Sequence, residues 1–137
     1  MRFFNIIPLT VFILIGLSFS EQEQTKIPGG IAIAIKAGNA AELSKYMNST
    51  VELHLLDKED FYKKNVAEVI MKDFFNSYPT KDFNVLFQGS KNDLQYEIGI
   101  LKTEKGDFRV YFLLKKVDKE LLIQQIRIER IEAENGK

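Results

Sequence analysis

The chain has 137 residues, with 19 basic against 19 acidic, 45% hydrophobic residues and no cysteine. That length suits one small domain built on one core. Balanced charge gives no general attraction to nucleic acid or an anionic membrane. The lack of cysteine excludes disulfides, thiol catalysis, haem attachment through cysteine and cysteine zinc sites.

The chain opens "MRFFNIIPLTVFILIGLSFSEQEQ". A basic start at Arg2, an apolar run, then Ser18 and Ser20 two apart before a polar stretch form the pattern of a secretory leader. Cleavage is expected after Ser20. The apolar run, about fifteen residues, falls short of the roughly 20 that a spanning helix needs, and no cysteine follows it to carry a lipid. The mature protein is therefore expected to be periplasmic or secreted, without a transmembrane anchor. Residues 1–20 read as the leader, 21–26 as a polar lead, 27–131 as one domain and 132–137 as a polar tail.

"PGGIAIAIKAGN" alternates isoleucine with alanine. The alternation suits a strand, but alanine favours helix, Pro28 fits a first helical turn, and Gly38 fits a helix stop. A short, almost fully buried helix is expected over about residues 28–37. Asn39 with Glu42 makes a capping box for a second helix carrying Ala40, Leu43 and Met47. In "VELHLLD", Val51, Leu53 and Leu55 alternate with Glu52 and His54 as in a half-buried strand. "KEDFYKKNVAEVIMKDFFNSYP" reads as one long helix from Lys58, with Val66, Ala67, Ile70, Met71, Phe74 and Phe75 in an apolar stripe and Pro79 ending it. Four strands follow with short turns, as in an antiparallel meander. Phe83, Val85 and Phe87 share one face; so do Leu94, Tyr96, Ile98 and Ile100; so do Phe108, Val110, Phe112 and Leu114. Helices ahead of a meander argue for an α+β fold, a curved antiparallel sheet packed on helices.

The segments "KAGNAAELS", "VELHL", "FFNSYP" and "YEIGILKTEKGDFRVYFLLKK" resemble the domain-of-unknown-function 4783 family, exported proteins of Bacteroidetes within the nuclear transport factor 2-like superfamily. The resemblance runs from about Ile27 to Ile131 and implies the superfamily's cone-shaped α+β fold. It implies no activity, because the family has none assigned. The superfamily includes ketosteroid isomerases and dehydratases, which place an Asp, His or Tyr inside the cone, where apolar surroundings tune its pKa. Its members often dimerise through the sheet.

Strand phase turns His54, the only histidine, away from the core, together with Glu52. No cluster of ligands suggests a metal, and no cofactor motif is present. The strand faces read as inward contain no carboxylate, which argues against proton-transfer chemistry there. Tyr96 is the one inward strand residue with a polar tip, and Tyr46 is placed to join it from a helix. With Phe74, Phe87 and Phe112 they are the candidate lining of a pocket for a small apolar ligand; the plainer reading is that these rings fill the core. Arg109, Tyr111 and Arg127 fall on the opposite sheet face, as a polar surface or a homodimer contact. Two functions are carried forward: a non-enzymatic envelope module that binds a small apolar ligand or another envelope protein, and an isomerase- or cyclase-like enzyme using Tyr96 and Tyr46.

Overall fold

The computed structural model describes residues 26–132; the leader expected over 1–20 and most of the polar lead and tail lie outside them. The elements are α1 (Gly29–Ala37), α2 (Ala40–Ser44), β1 (Met47–Leu55), β2 (Lys58–Lys63), α3 (Lys64–Ser77), β3 (Thr80–Lys91), β4 (Leu94–Thr103), β5 (Gly106–Val117) and β6 (Glu120–Arg130). The strands form one sheet in the order β2-β1-β6-β5-β4-β3. The fold is α+β, as expected. The sheet is not wholly antiparallel, because β1 runs parallel to β6. Chain entry past α2 brings β1 in beside the last strand, and the β1–β2 hairpin then feeds α3 back across the sheet.

α1 is a helix, and its αL residue is Gly38, whose N–H reaches the Ala34 and Ile35 carbonyls. Ile31, Ala34 and Ile35 are buried, while Ile33 is 70% exposed. So the helix is amphipathic rather than almost fully buried. Asn39 caps α2, its side chain accepting from the Glu42 N–H at 3.1 Å. The Glu42 carboxylate turns to Lys45 at 2.7 Å instead of completing the box. α2 ends at Ser44, and Met47 opens β1, so the second helix is shorter than its sequence pattern. The Ser44 hydroxyl donates to Glu68 Oε1 at 2.6 Å, tying α2 to α3.

The long helix expected from Lys58 is two elements. Lys58–Lys63 is an edge strand, hairpinned to β1 through a two-residue turn in which Leu56 has φ 54°. α3 begins only at Lys64 and buries Ala67, Met71, Phe74 and Phe75; Val66 is exposed.

β5 supplies the centre of the core. Phe108, Val110, Phe112 and Leu114 are fully buried. Pairing carries their face to the neighbours: Val110 lies opposite Gly99 and Ile128, and Phe112 opposite Glu97 and Ile126. The buried side of β4 is therefore Glu97, Gly99, Leu101 and Thr103. Tyr96, Ile98 and Ile100 point to the convex side, contrary to the phase read from sequence. Gly99 leaves room for the Phe83 ring, which a Cβ there would overlap. β3 keeps its expected phase through Phe83, then breaks register between Val85 and Phe87. The extra residue, Leu86, is 64% exposed, and a bulge of this kind re-aims the side chains after it. Phe87 is consequently paired with Ile98 on the convex side and is 53% exposed.

These placements predict unequal costs for two phenylalanines. Phe112→Ala should lose about 3–5 kcal/mol in urea unfolding, the usual cost of emptying a filled aromatic site. Phe87→Ala should lose no more than about 1 kcal/mol. Equal losses would contradict the register.

Candidate functional site

A cleft of about 470 Å³ opens between α3 and the β1–β2 hairpin. Its floor is Leu53, Leu55 and Leu56, its walls are Tyr62, Ile70, Phe74 and Tyr78, and its rim is Asp57, Lys58, Asp73 and Ser77. Each part follows from local structure. The core face of β1 presents Leu53 and Leu55. The tight turn carries Leu56 and Asp57 over the mouth. On α3, Ile70, Asp73, Phe74 and Ser77 recur at helical three- and four-residue spacing and so share one side.

The inner wall is built of aromatic rings in mutual contact. The Tyr78 ring stands 5.0 Å from Phe74 and 4.9 Å from Phe108, and Phe74 stands 5.4 Å from Phe108, these last two contacts being edge-on. Such pairs add stability beyond the area they bury. Arg130 donates from Nη2 to the Tyr78 hydroxyl at 3.1 Å, and its guanidinium lies 5.2 Å from the Phe108 ring centre. The Tyr78 phenol is thereby held in one orientation.

The structure separates the pocket residues expected from sequence. Phe74 lines the cleft. Tyr46 is half-buried and lines a second, more polar cavity of about 350 Å³ with Lys26, Pro28, Lys45 and the segment Lys119–Leu122; its hydroxyl packs against Gly30, where a Cβ would overlap it. Phe112 is wholly buried and meets Phe83 edge-on at 6.3 Å, so it fills the core. Tyr96 and Phe87 stack with each other at 5.7 Å on the convex side and touch neither cavity. The residues that sequence reasoning missed are Leu56, Tyr62, Asp73 and Tyr78. Tyr62 was hidden because its strand was read as helix. The available signal was the run Phe61-Tyr62, which suits an edge strand better than a charged first helical turn.

His54 faces the convex side as expected, with Nδ1 3.6 Å from Glu59 Oε2 and the backbone paired to Arg127. Burial, followed by the hydrogen bond and charge of Glu59, holds the Glu52 carboxyl above its ordinary range; the Gln125 hydrogen bond and His54 oppose this. Arg109, Tyr111 and Arg127 do share the convex face. Arg127 pairs with Glu129 at 2.5 Å, and its guanidinium lies 5.9 Å from the Tyr111 ring centre. No group of three or more His, Asp or Glu among the described residues is arranged to hold a metal ion.

One carboxylate does point inward, contrary to the reading from sequence. Glu97 is 2% exposed. Gln88 Nε2 donates to its Oε1 at 2.7 Å, while Oε2 has no hydrogen-bond partner among the described residues. Burial pushes its carboxyl up from the ordinary value, and the Gln88 hydrogen bond works the other way. Glu97 lines neither cavity. In the unfolded chain this group ionises near the ordinary value of about 4.3, whereas in the fold it keeps its proton to higher pH. Its contribution to stability is complete below the unfolded value and is lost as pH rises toward the folded one. In melts between about pH 4 and pH 8, Glu97→Gln should therefore gain stability relative to the wild type as pH rises. A difference that stays constant with pH would contradict this.

The family model described as domain of unknown function (DUF4783) matches residues 29–129. Among solved structures, a DUF4783 family protein from Bacteroides ovatus is 40% identical, with a TM-score of 0.76 over 78% of this chain and 97% of its own. Another from Bacteroides uniformis is 37% identical, with a TM-score of 0.76 over 79% of this chain and 100% of its own. A chain bearing the nuclear transport factor 2 name is 14% identical, with a TM-score of 0.58 over 72% of this chain and 90% of its own, and shares the fold. No curated protein matches the chain. The family match, together with the identity and near-complete coverage of the Bacteroides chains, places this chain in the DUF4783 family, built on a nuclear transport factor 2-like fold.

Proposed function

We propose that the protein is a non-enzymatic binding module that takes a small apolar ligand in the cleft between α3 and the β1–β2 hairpin. The observation that carries this reading is the cleft itself: about 470 Å³, with a leucine floor and aromatic walls. Ligand pockets have this size and make-up. The leader read from residues 1–20 supports a place in the cell envelope or outside the cell.

The isomerase- or cyclase-like alternative has less support. Tyr96 is on the convex side, and Glu97 is not among the residues that line the cleft. An acid or base must reach the proton it moves, and the histidine faces the opposite side of the sheet from Leu53.

The test uses the neutral fluorophore N-phenyl-1-naphthylamine with the wild type and with Ile70→Trp, which would fill the cleft from a half-buried helix position. Thermal melts report folding of the variant. Wild type should brighten the dye saturably, and Ile70→Trp should weaken binding by about tenfold or more, a change of about 1.4 kcal/mol. Equal binding by both proteins would place the dye elsewhere and defeat the proposal.

A second reading, a homodimer through the convex face, is favoured by the half-exposed row Tyr96, Ile98, Tyr111 and Leu113 beside exposed Phe87. Apolar surface of this kind marks contact sites when it is contiguous. Tyr111→Glu should convert a dimer to a monomer in sedimentation at micromolar concentration; a wild-type monomer would remove this reading.

A further inference from the structure

The cleft's electrostatics select among small apolar ligands. Asp57 and Asp73 both line the rim, with Lys58 as the one cation there. None of these three forms an ion pair among the described residues. The rim thus carries two carboxylates against one ammonium, all three exposed. Helix α3 ends at the same place: Ser77 is its last residue and Tyr78 its cap, and both line the cleft. The C-terminal end of a helix carries partial negative charge, which basic residues in the last turn usually offset. The last turn of α3 has none. The Tyr62 and Phe74 walls add aromatic rings, which attract cations, whereas the Tyr78 ring already carries the Arg130 guanidinium, 5.6 Å from its centre.

Three independent features therefore favour positive charge at the mouth, above an apolar floor. We infer that the ligand is an amphipathic cation: an ammonium group held at the Asp57–Asp73 rim, with a hydrocarbon or aromatic body on Leu53, Leu55 and Ile70. The inference rests on the binding reading above and assigns the ligand's chemical class. Exposed charges are screened by salt, so the selectivity is moderate and falls with ionic strength. Lys58 opposes it and sets its upper limit.

The experiment compares octylammonium with octanoate, which share an alkyl chain and differ in charge, by calorimetric titration at low ionic strength. Wild type should bind octylammonium about fivefold more tightly, the scale expected for exposed rim charges and a helix end. The double variant Asp57→Asn, Asp73→Asn should lose most of that preference while still binding the alkyl chain, and Lys58→Gln should widen it. Octanoate binding as tightly as octylammonium, or a preference that survives in the double variant, overturns the inference. Ile70→Trp separates the two levels. If it abolishes both ligands while wild type binds them equally, the cleft stands and the cation assignment falls. If it leaves octylammonium bound, or if neither ligand binds wild type, the cleft reading falls and the assignment with it.

Discussion

The rest of the molecule depends on the register of β5. Phe108, Val110, Phe112 and Leu114 are fully buried on one face, and a strand's side chains alternate with a period of two. Once these four are inside, hydrogen-bonded pairing dictates which residues of β4 and β6 join them. Ile126 and Ile128 enter opposite Phe112 and Val110. Glu97 enters too, because it lies opposite Phe112, although a carboxylate is costly to bury. A slip of one residue would free Glu97 but expel Leu101 and move Gly99 away from the Phe83 ring for which it leaves room.

This constraint also explains why the space under the sheet is occupied. Large rings meet across it: Phe83 against Phe112, and Phe74 and Tyr78 against Phe108. The larger of the two cavities described lies at the margin, where β2 is short and α3 ends. There the hairpin turn, the helix end and β1 leave a cleft with an apolar bottom and a charged lip. Arg130, anchored on Tyr78 and Phe108, braces the wall of that cleft and ties the last strand to the end of α3. The site is thus a by-product of how the core closes, with its polarity set by Asp57, Asp73 and the end of α3.

Much of the fold is legible in the sequence, for physical reasons that also explain where legibility fails. The Gly38 stop, the Asn39 cap and the β5 alternation act locally, and each holds in the structure. β4 misleads because apolar residues occupy both phases: Leu94, Tyr96, Ile98 and Ile100 form the better alternation, yet it is Leu101 and Gly99 that match β5 and admit Phe83. Only cross-strand pairing decides between them. β3 misleads through a bulge, which inserts a residue without any glycine to signal it. β2 is hidden because its polar edge-strand sequence runs directly into α3, and its Leu56-Asp57 turn lacks the glycine that usually marks a hairpin. Missing β2 meant missing Tyr62, and with it the cleft; of the expected pocket residues, Phe74 is the one that lines it. The outward setting of His54 was legible, because β1 alternates cleanly.

The most direct test of the account is where a small apolar ligand settles. Methyl NMR of the protein titrated with 1-octanol reads this for every leucine, isoleucine and valine at once. Saturable shifts are expected at Leu53, Leu55, Leu56 and Ile70, with Val110, Leu114 and Ile126 in the filled core unmoved. Shifts concentrated under the sheet at Val110, Leu114 and Ile126, or on the convex face at Ile98, Ile100 and Leu113, would contradict it.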